Sequence, residues 1–354
     1  MIVKQNSDFL FGFEAVMTNA NGDPDQENKP RMDYETNTAL VSDARRKRDI
    51  REFIKTKGYR IFVDTLADRK VPMDKMFQAI RDEWLEDEKF RALLSEEQEL
   101  QEKWHALVGD IDSDFETAYI EVQKKGKAKA VLTEFNNLFL TLIIKRSLID
   151  IRWFGSAMAI ENISRTYTGP VQMTWGYSLH PVELVKSNTI TSIMNDDSST
   201  FGKKYKLYYA LNAHYGTINK YNAQKTGMTE EDKMLFQKAL VQGMMNNQTD
   251  SKQGQTPLFY FEIVYKPEFD GYLGDLRRFL QVSYPEKKAI RSLADISVDF
   301  SKLNGAIEFM KQAGYVEKVV GWLHPLVTRK NFMNMPQFEG LDLWEAVANL
   351  PEER

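Results

Sequence analysis

The chain has 354 residues, 42% hydrophobic and 28% charged, which is about two domains' length at ordinary soluble composition and excludes a chain too polar to bury a core. It has no cysteine, which excludes disulfides, cysteine-ligated zinc, iron–sulfur clusters and thiol nucleophiles, and its four histidines are scattered with no His-x-x-x-His pair. The net charge of −4 hides an uneven distribution: residues 74–121 carry 15 acidic and 5 basic side chains, a net of −10, which leaves +6 on the remainder.

No apolar run approaches the roughly 20 residues of a membrane span; residues 138–144 come nearest and stop at Lys145 and Arg146. The start of the chain lacks a charged-then-apolar leader pattern, so a cytoplasmic location is expected. In chain order, residues 8–18 (DFLFGFEAVMT) read as a strand. A turn-rich loop over residues 19–38 follows, and loops of that length tend to be functional. Asn19, Asn21 and the loop amides are suited to hydrogen-bonding a ligand. Asp23, Asp25, Glu27 and Asp33 alternate as in a calcium loop, but Asn28 stands where that loop needs glycine and Tyr34 where it needs glutamate. Turn formation by Asn, Gly, Asp and Pro is the simpler reading.

A helix is predicted over residues 42–57, with Ser42 as N-cap, Asp43 in the first turn and Gly58 as the stop. Ile50, Phe53 and Ile54 mark its buried side. Lys47, Arg51 and Lys55 recur every fourth residue, and Arg45, Arg46 and Arg48 add to them. Only Asp49 and Glu52 are counted as local partners, so this face points to an anionic ligand bound through charge and forked hydrogen bonds. Residues 74–104 read as acidic helices inserted between core strands, followed by a basic linker, KKGKAK, at 124–129 and a helix over 133–147.

IRWFGSAMAI and GPVQMTWGYSL read as strands. Arg152 beside Trp153 and Phe154 forms either a stacking platform for single-stranded bases or a strand with a core face, and Arg165 extends that surface. NTITSIM and KLYYALNAHYG read as a hairpin whose tip holds Lys203, Lys204 and Lys206 among Phe201, Tyr205 and Tyr208. The plain alternative is a polar hairpin with a lysine edge. A helix over 229–245 and a strand from Pro257 complete the order strand, helix, strand, insertion, strand, helix, strand. That order matches an α+β, ferredoxin-like (βαββαβ) plan. There is no G-x-S-x-G elbow, Walker A loop or G-x-G-x-x-G run, which weighs against hydrolase, nucleotide-binding and dehydrogenase readings.

Taken together, NGDPDQENKPRMDYET at 21–36, LVSDARRKRDIREFI at 40–54, IDIRWFGSAM at 149–158 and GPVQMTWGYSLHPV at 169–182 resemble, in order, the repeated backbone subunit of type I CRISPR Cascade complexes, most closely the type I-B branch. The resemblance implies a modified RNA-recognition palm over residues 1–65 and 150–354. It implies an inserted acidic helical finger over 66–149 and a hairpin thumb near 187–213. It implies copies that oligomerise along crRNA, other Cascade subunits and a target DNA strand as partners, and no catalytic residue, metal, cofactor or membrane. By position, Asn21, Arg31, Ser42, Lys47, Arg48 and Arg51 resemble the palm surface for guide phosphates. Arg152, Phe154 and Gly155 resemble its second part, and residues 188–208 resemble the thumb.

FYFEIVYK lacks the glycine pattern of the usual RNA-recognition strand, so phosphate contacts rather than stacking on that strand are expected. Two competing readings stay open. One is a type III-like subunit that cuts target RNA with Asp23, Asp25 or Asp33; the other is a monomeric small-molecule binder.

Overall fold

Phe9, Phe11 and Phe13 fall on one side of an extended backbone and Leu10 on the other, a pattern that a strand can bury only if both faces of its sheet are covered. A computed structural model describing residues 1–62, 73–111, 113–125, 129–160, 163–195 and 198–350 has that arrangement. The protein is α+β, and it divides into two compact units, Met1–Gly58 with Pro170–Arg354, and Tyr59–Gly169.

In the first unit the elements that matter are β1 (Ser7–Thr18), α1 (Asp43–Thr56), β2 (Gly176–Ser178), β3 (Leu207–Ile218), α2 (Glu230–Asn246), β4 (Gln255–Tyr265) and β5 (Val316–Leu323). They form a sheet in the order β5–β4–β1–β3–β2, each neighbour antiparallel. Glu339–Gly340 adds to β5 in parallel, so the sheet is mixed. The register sets Ser7 opposite Ile218 on one side and Val264 on the other, with one irregularity at Gly12 and Phe13.

The two helices cover one face. The Phe9 ring meets Phe236 of α2 edge-on at 5.7 Å, and the Arg46 guanidinium of α1 lies 4.9 Å over Phe13. The C-terminal third covers the other: Leu10, Leu211, Phe259 and Phe261 share a buried cluster with Leu276, Val298, Phe300 and Phe332. Both helices start as their sequences predict. Ser42 Oγ accepts from the Arg45 amide at 3.2 Å, and Thr229 and Asp232 form a reciprocal capping box.

An ion pair buried beneath α2 ties that helix to β4. Lys233 Nζ lies 2.6 Å from the Glu262 carboxylate, which also accepts from Gln237 Nε2 at 2.6 Å and the Tyr260 hydroxyl at 2.7 Å. Burial pushes the Glu262 carboxyl up, but Lys233, with the Ser7 and Tyr260 hydroxyls, outweighs it and holds it below its ordinary value.

Three predicted elements differ, two of them in this unit. KLYYALNAHYG is not half of the exposed hairpin; it is β3, buried almost throughout in the central sheet. The hairpin instead pairs Thr189–Asn195 with Ser198–Lys203, and Asp196 and Asp197 at its tip lie outside the described residues. A strand apolar on both faces has to sit in a covered sheet, because an isolated two-stranded ribbon leaves it in water. GPVQMTWGYSL forms two short strands, Val171–Met173 and Gly176–Ser178, both paired with β3.

In the second unit, helices Met73–Trp84, Asp87–Glu96, Gln98–Val108, Phe115–Lys125 and Lys129–Ser147 surround an aromatic core in which the Phe90 ring lies 5.0 Å from both Trp104 and Phe115. Gly126, Lys127 and Ala128 of the basic linker lie outside the described residues. IRWF is a helix, Ile149–Phe154, rather than a strand, and only from Gly155 does the chain pair, with Gly155–Ile160 against Ile163–Thr168. Helical winding buries Ile149, Ile151, Trp153 and Phe154 together and lets the buried Asp150 accept from the Phe62 amide at 2.7 Å. No helix among the described residues is long and apolar enough to cross a membrane.

Removing the partner of a buried charge typically costs about 3–5 kcal/mol. Lys233→Met is therefore expected to lower unfolding free energy by that amount in urea titrations at pH 7. A loss under about 1 kcal/mol, the range of an exposed pair, would show that Glu262 does not depend on Lys233.

Candidate functional site

The register of the sheet gathers the candidate residues at one end. Thr18 closes β1 opposite Leu207 at the start of β3, and Ala15 sits opposite Gln255 at the start of β4. The residues just beyond these ends (Asn19 onward, Lys203–Lys206 and the loop before Gln255) therefore meet. They line a cleft of about 360 Å³ that includes Asn19, Asn28, Lys203, Lys204, Lys206 and Asp250.

Hydrogen bonds organise this end. Asn19 Nδ2 donates to the Asn28 carbonyl at 2.8 Å, and the Asn19 amide donates to the Ser251 carbonyl at 3.1 Å. Asn21 Oδ1 accepts from both the amide and the hydroxyl of Ser42 at 2.8 Å, which ties the 19–38 loop to the start of α1. Arg31 is drawn to the same place because its amide donates to the Asn21 carbonyl at 2.9 Å. Asn21 and Ser42 thus hold the loop in shape.

The three lysines lie at the base of the hairpin, not at its tip. Lys203 pairs with Thr189 at the open end, and the Lys204 amide donates to the Asn188 carbonyl at 2.7 Å. Lys204 Nζ lies 2.7 Å from Asp250 with its side chain half exposed. Tyr205 donates to Glu27 at 2.8 Å and lies under Lys29 at 5.1 Å. The Tyr205 hydroxyl, then Lys203 and Lys29, hold the Glu27 carboxyl below its ordinary value.

On α1 the cations have more partners than the two acids counted from sequence. Lys47 pairs with Asp43 at 2.8 Å and Arg48 with Glu52 at 3.2 Å. Arg45 and Arg46 share Asp49, Arg46 at 2.9 Å. Arg46 is 1% exposed and also reaches Gln255 at 3.1 Å, so it packs α1 on the sheet and is not a surface charge. Arg45 is mostly buried, whereas Arg48 is exposed. Arg51, one turn beyond Lys47, is half-buried.

The predicted second surface belongs to the other unit. Arg152 donates to the Lys145 carbonyl at 2.9 Å and so caps the end of the preceding helix. Trp153 and Phe154 are buried, which removes them as a stacking platform. Gly155 has φ 70° and ψ −178°, a conformation essentially confined to glycine, so its backbone role is independent of any ligand. Arg165 lies opposite Met158 in the strand pair.

The loop carboxylates are occupied in turns. Asp23 accepts from the Asp25 amide at 3.2 Å and faces Arg31 at 3.5 Å, while Asp33 accepts from Glu35 N at 3.0 Å and Thr36 Oγ1 at 2.8 Å. Among the described residues, no group of three or more His, Asp or Glu side chains is placed to hold a metal ion.

The sequence profile of the family described as CRISPR-associated protein Cas7 matches residues 5–301. The chain belongs to the Cas7 family. A CRISPR-associated protein Cas7 of Haloferax volcanii is 22% identical over 331 residues, covering 87% of this chain and 84% of the relative. A solved chain titled CRISPR RNA-guided surveillance complex, pre-nicking, shares the fold, with a TM-score of 0.54 at 12% identity over 95% of this chain and 96% of that one.

In this Cas7 chain, sequence reasoning missed Lys252. Its ammonium donates to the Asn19 and Ala20 carbonyls at 2.9 and 3.2 Å, beneath the loop that carries Asn21. Burial, then Arg45 and Arg46, pushes it down to about 8. The turn-rich NQTDSKQG stretch after α2 was the only local signal of it. The unfolded chain keeps its lysine proton to about pH 10.4, so between roughly pH 8 and 10 the unfolded state binds more protons and stability rises with pH. Unfolding titrations across that range should show this rise in wild type minus Lys252→Met. A pH-independent difference would contradict it.

Proposed function

We propose that this chain is a non-catalytic backbone subunit of a type I surveillance complex, of the I-B branch. Several copies assemble along a crRNA, hold its spacer phosphates without regard to sequence, and present it for pairing with target DNA alongside other subunits in the cytoplasm. The observation that carries this reading is the polar cleft at one sheet end, where Lys203, Lys204 and Lys206 line one opening with Asn19 and Asn28 in a Cas7-family chain. Such a surface recognises a phosphate backbone by charge and hydrogen bonds and carries no base code.

The strand order β4–β1–β3–β2, with α1 after β1 and α2 after β3, supports assigning the larger unit as an RNA-recognition-like, βαββαβ palm. The helical unit is then the finger and the Thr189–Lys203 hairpin the thumb. Both sheet faces are covered, and Phe259 and Phe261 are fully buried, so bases have no open strand to stack on. This supports binding through phosphates at the sheet end.

Salt dependence tests the reading. Wild type should bind single-stranded RNA of any sequence with log K falling at roughly −0.7 per neutralised phosphate against log salt. Lys203→Ala/Lys204→Ala should flatten that slope by one to two such increments. A flat wild-type slope, or a double variant indistinguishable from wild type, would contradict it.

A further inference from the structure

Trp175 sits in the two-residue turn between the short strands Val171–Met173 and Gly176–Ser178, with 45% of its surface exposed. A half-exposed indole forgoes much of its burial energy, and here the backbone that carries it is anchored at the sheet edge. The Thr174 amide donates to the Tyr215 carbonyl at 2.9 Å, and the Trp175 carbonyl accepts from Arg277 Nη1 at 2.7 Å. Arg277 also holds Thr174 Oγ1 at 3.0 Å and is itself locked, paired with Asp275 at 2.7 Å and stacked 4.1 Å over Tyr177. At Gly176 a Cβ would lie 2.6 Å from His214 Nε2, so the turn is pressed against the sheet and cannot slide.

Arg31 stands beside this ring, its guanidinium 5.8 Å from the indole centroid. Its carboxylate contact, to Asp23 at 3.5 Å, is long for a charge-assisted hydrogen bond, and its backbone is anchored to Asn21. The pair therefore offers an exposed aromatic face, on an anchored turn, next to a cation that is weakly held.

We propose that Trp175 and Arg31 form a stacking subsite for one nucleotide of single-stranded RNA, the base on the indole and its phosphate on the guanidinium. A π-face accepts any base, so the subsite adds affinity and register without a sequence preference. Both residues lie in the larger unit, and the subsite rests on the guide-RNA reading above. Trp175 belongs to the GPVQMTWGYSLHPV run, yet neither its hydropathy nor its spacing marks it as exposed; only the Arg277 anchor does.

The test compares uridine RNA with abasic RNA of equal length, which carries the same phosphates and no bases. On uridine RNA, Trp175→Ala should weaken binding about tenfold and Trp175→Phe only slightly, both with the wild-type salt slope. On abasic RNA, Trp175→Ala should equal wild type. Arg31→Ala should flatten the slope by roughly 0.7 on both RNAs. Unchanged thermal midpoints confirm folding. Equal loss by Trp175→Ala on both RNAs, or no loss on either, overturns the subsite while a steep wild-type slope leaves the guide-RNA reading standing. A wild type with no salt slope overturns both.

Discussion

β1 has a hydrogen-bonded strand on each edge, α1 and α2 over one face and the C-terminal third over the other. Fully burying a phenylalanine is worth about 1.5–3 kcal/mol, and Phe9, Phe11 and Phe13 are all buried here. That burial has a functional cost. A sheet covered on both faces leaves its ends, where the chain leaves the strands, as the places open to a ligand. Antiparallel register then decides which loops meet: the exits of β1, β3 and β4 converge at one end, although they lie far apart in sequence.

Charge follows a similar division. Exposed pairs such as Arg48 with Glu52 are weakly coupled, and their cations can be handed to a phosphate at little expense. Arg46, buried on Phe13 and bound to Asp49, cannot be handed over without dismantling the contact between α1 and the sheet. A basic helix therefore holds two kinds of cation that composition does not separate. Lys204 at the hairpin base, paired with the exposed Asp250, belongs to the first kind.

The elements legible in the sequence were those whose signals are local. Ser42 as N-cap, Thr229 before α2 and the Phe-rich first strand declare themselves within a few residues. What was not legible depends on partners distant in sequence. KLYYALNAHYG reads as a strand either way, and only the presence of β1 on one side and β2 on the other places it in the sheet. IRWF is too short for its period to separate helix from strand, and Asp150 reaching back to Phe62 decides it. Arg152 and Phe154 were marked by residue type, and Gly155 by the family resemblance alone; residue type does not tell a helix cap and a buried ring from a ligand contact. Asn21 and Ser42 were marked together, but their mutual hydrogen bond, with Asn21 shaping the loop around the helix start, came only with the structure.

The discontinuity of the larger unit also sets the timing of its synthesis. Asp8 of β1 accepts from the Tyr265 hydroxyl at a separation of 257 residues, and the whole helical unit is encoded between them. At about 5–20 residues per second, the first strand waits roughly 13–50 s on the ribosome before β4 exists. The Tyr59–Gly169 unit is contiguous and complete well before that, while FLFGF is still without its two edges. The nascent chain therefore carries an apolar strand with open edges through most of translation, and that interval is when a holdase or an early copy of the same strand would compete for it.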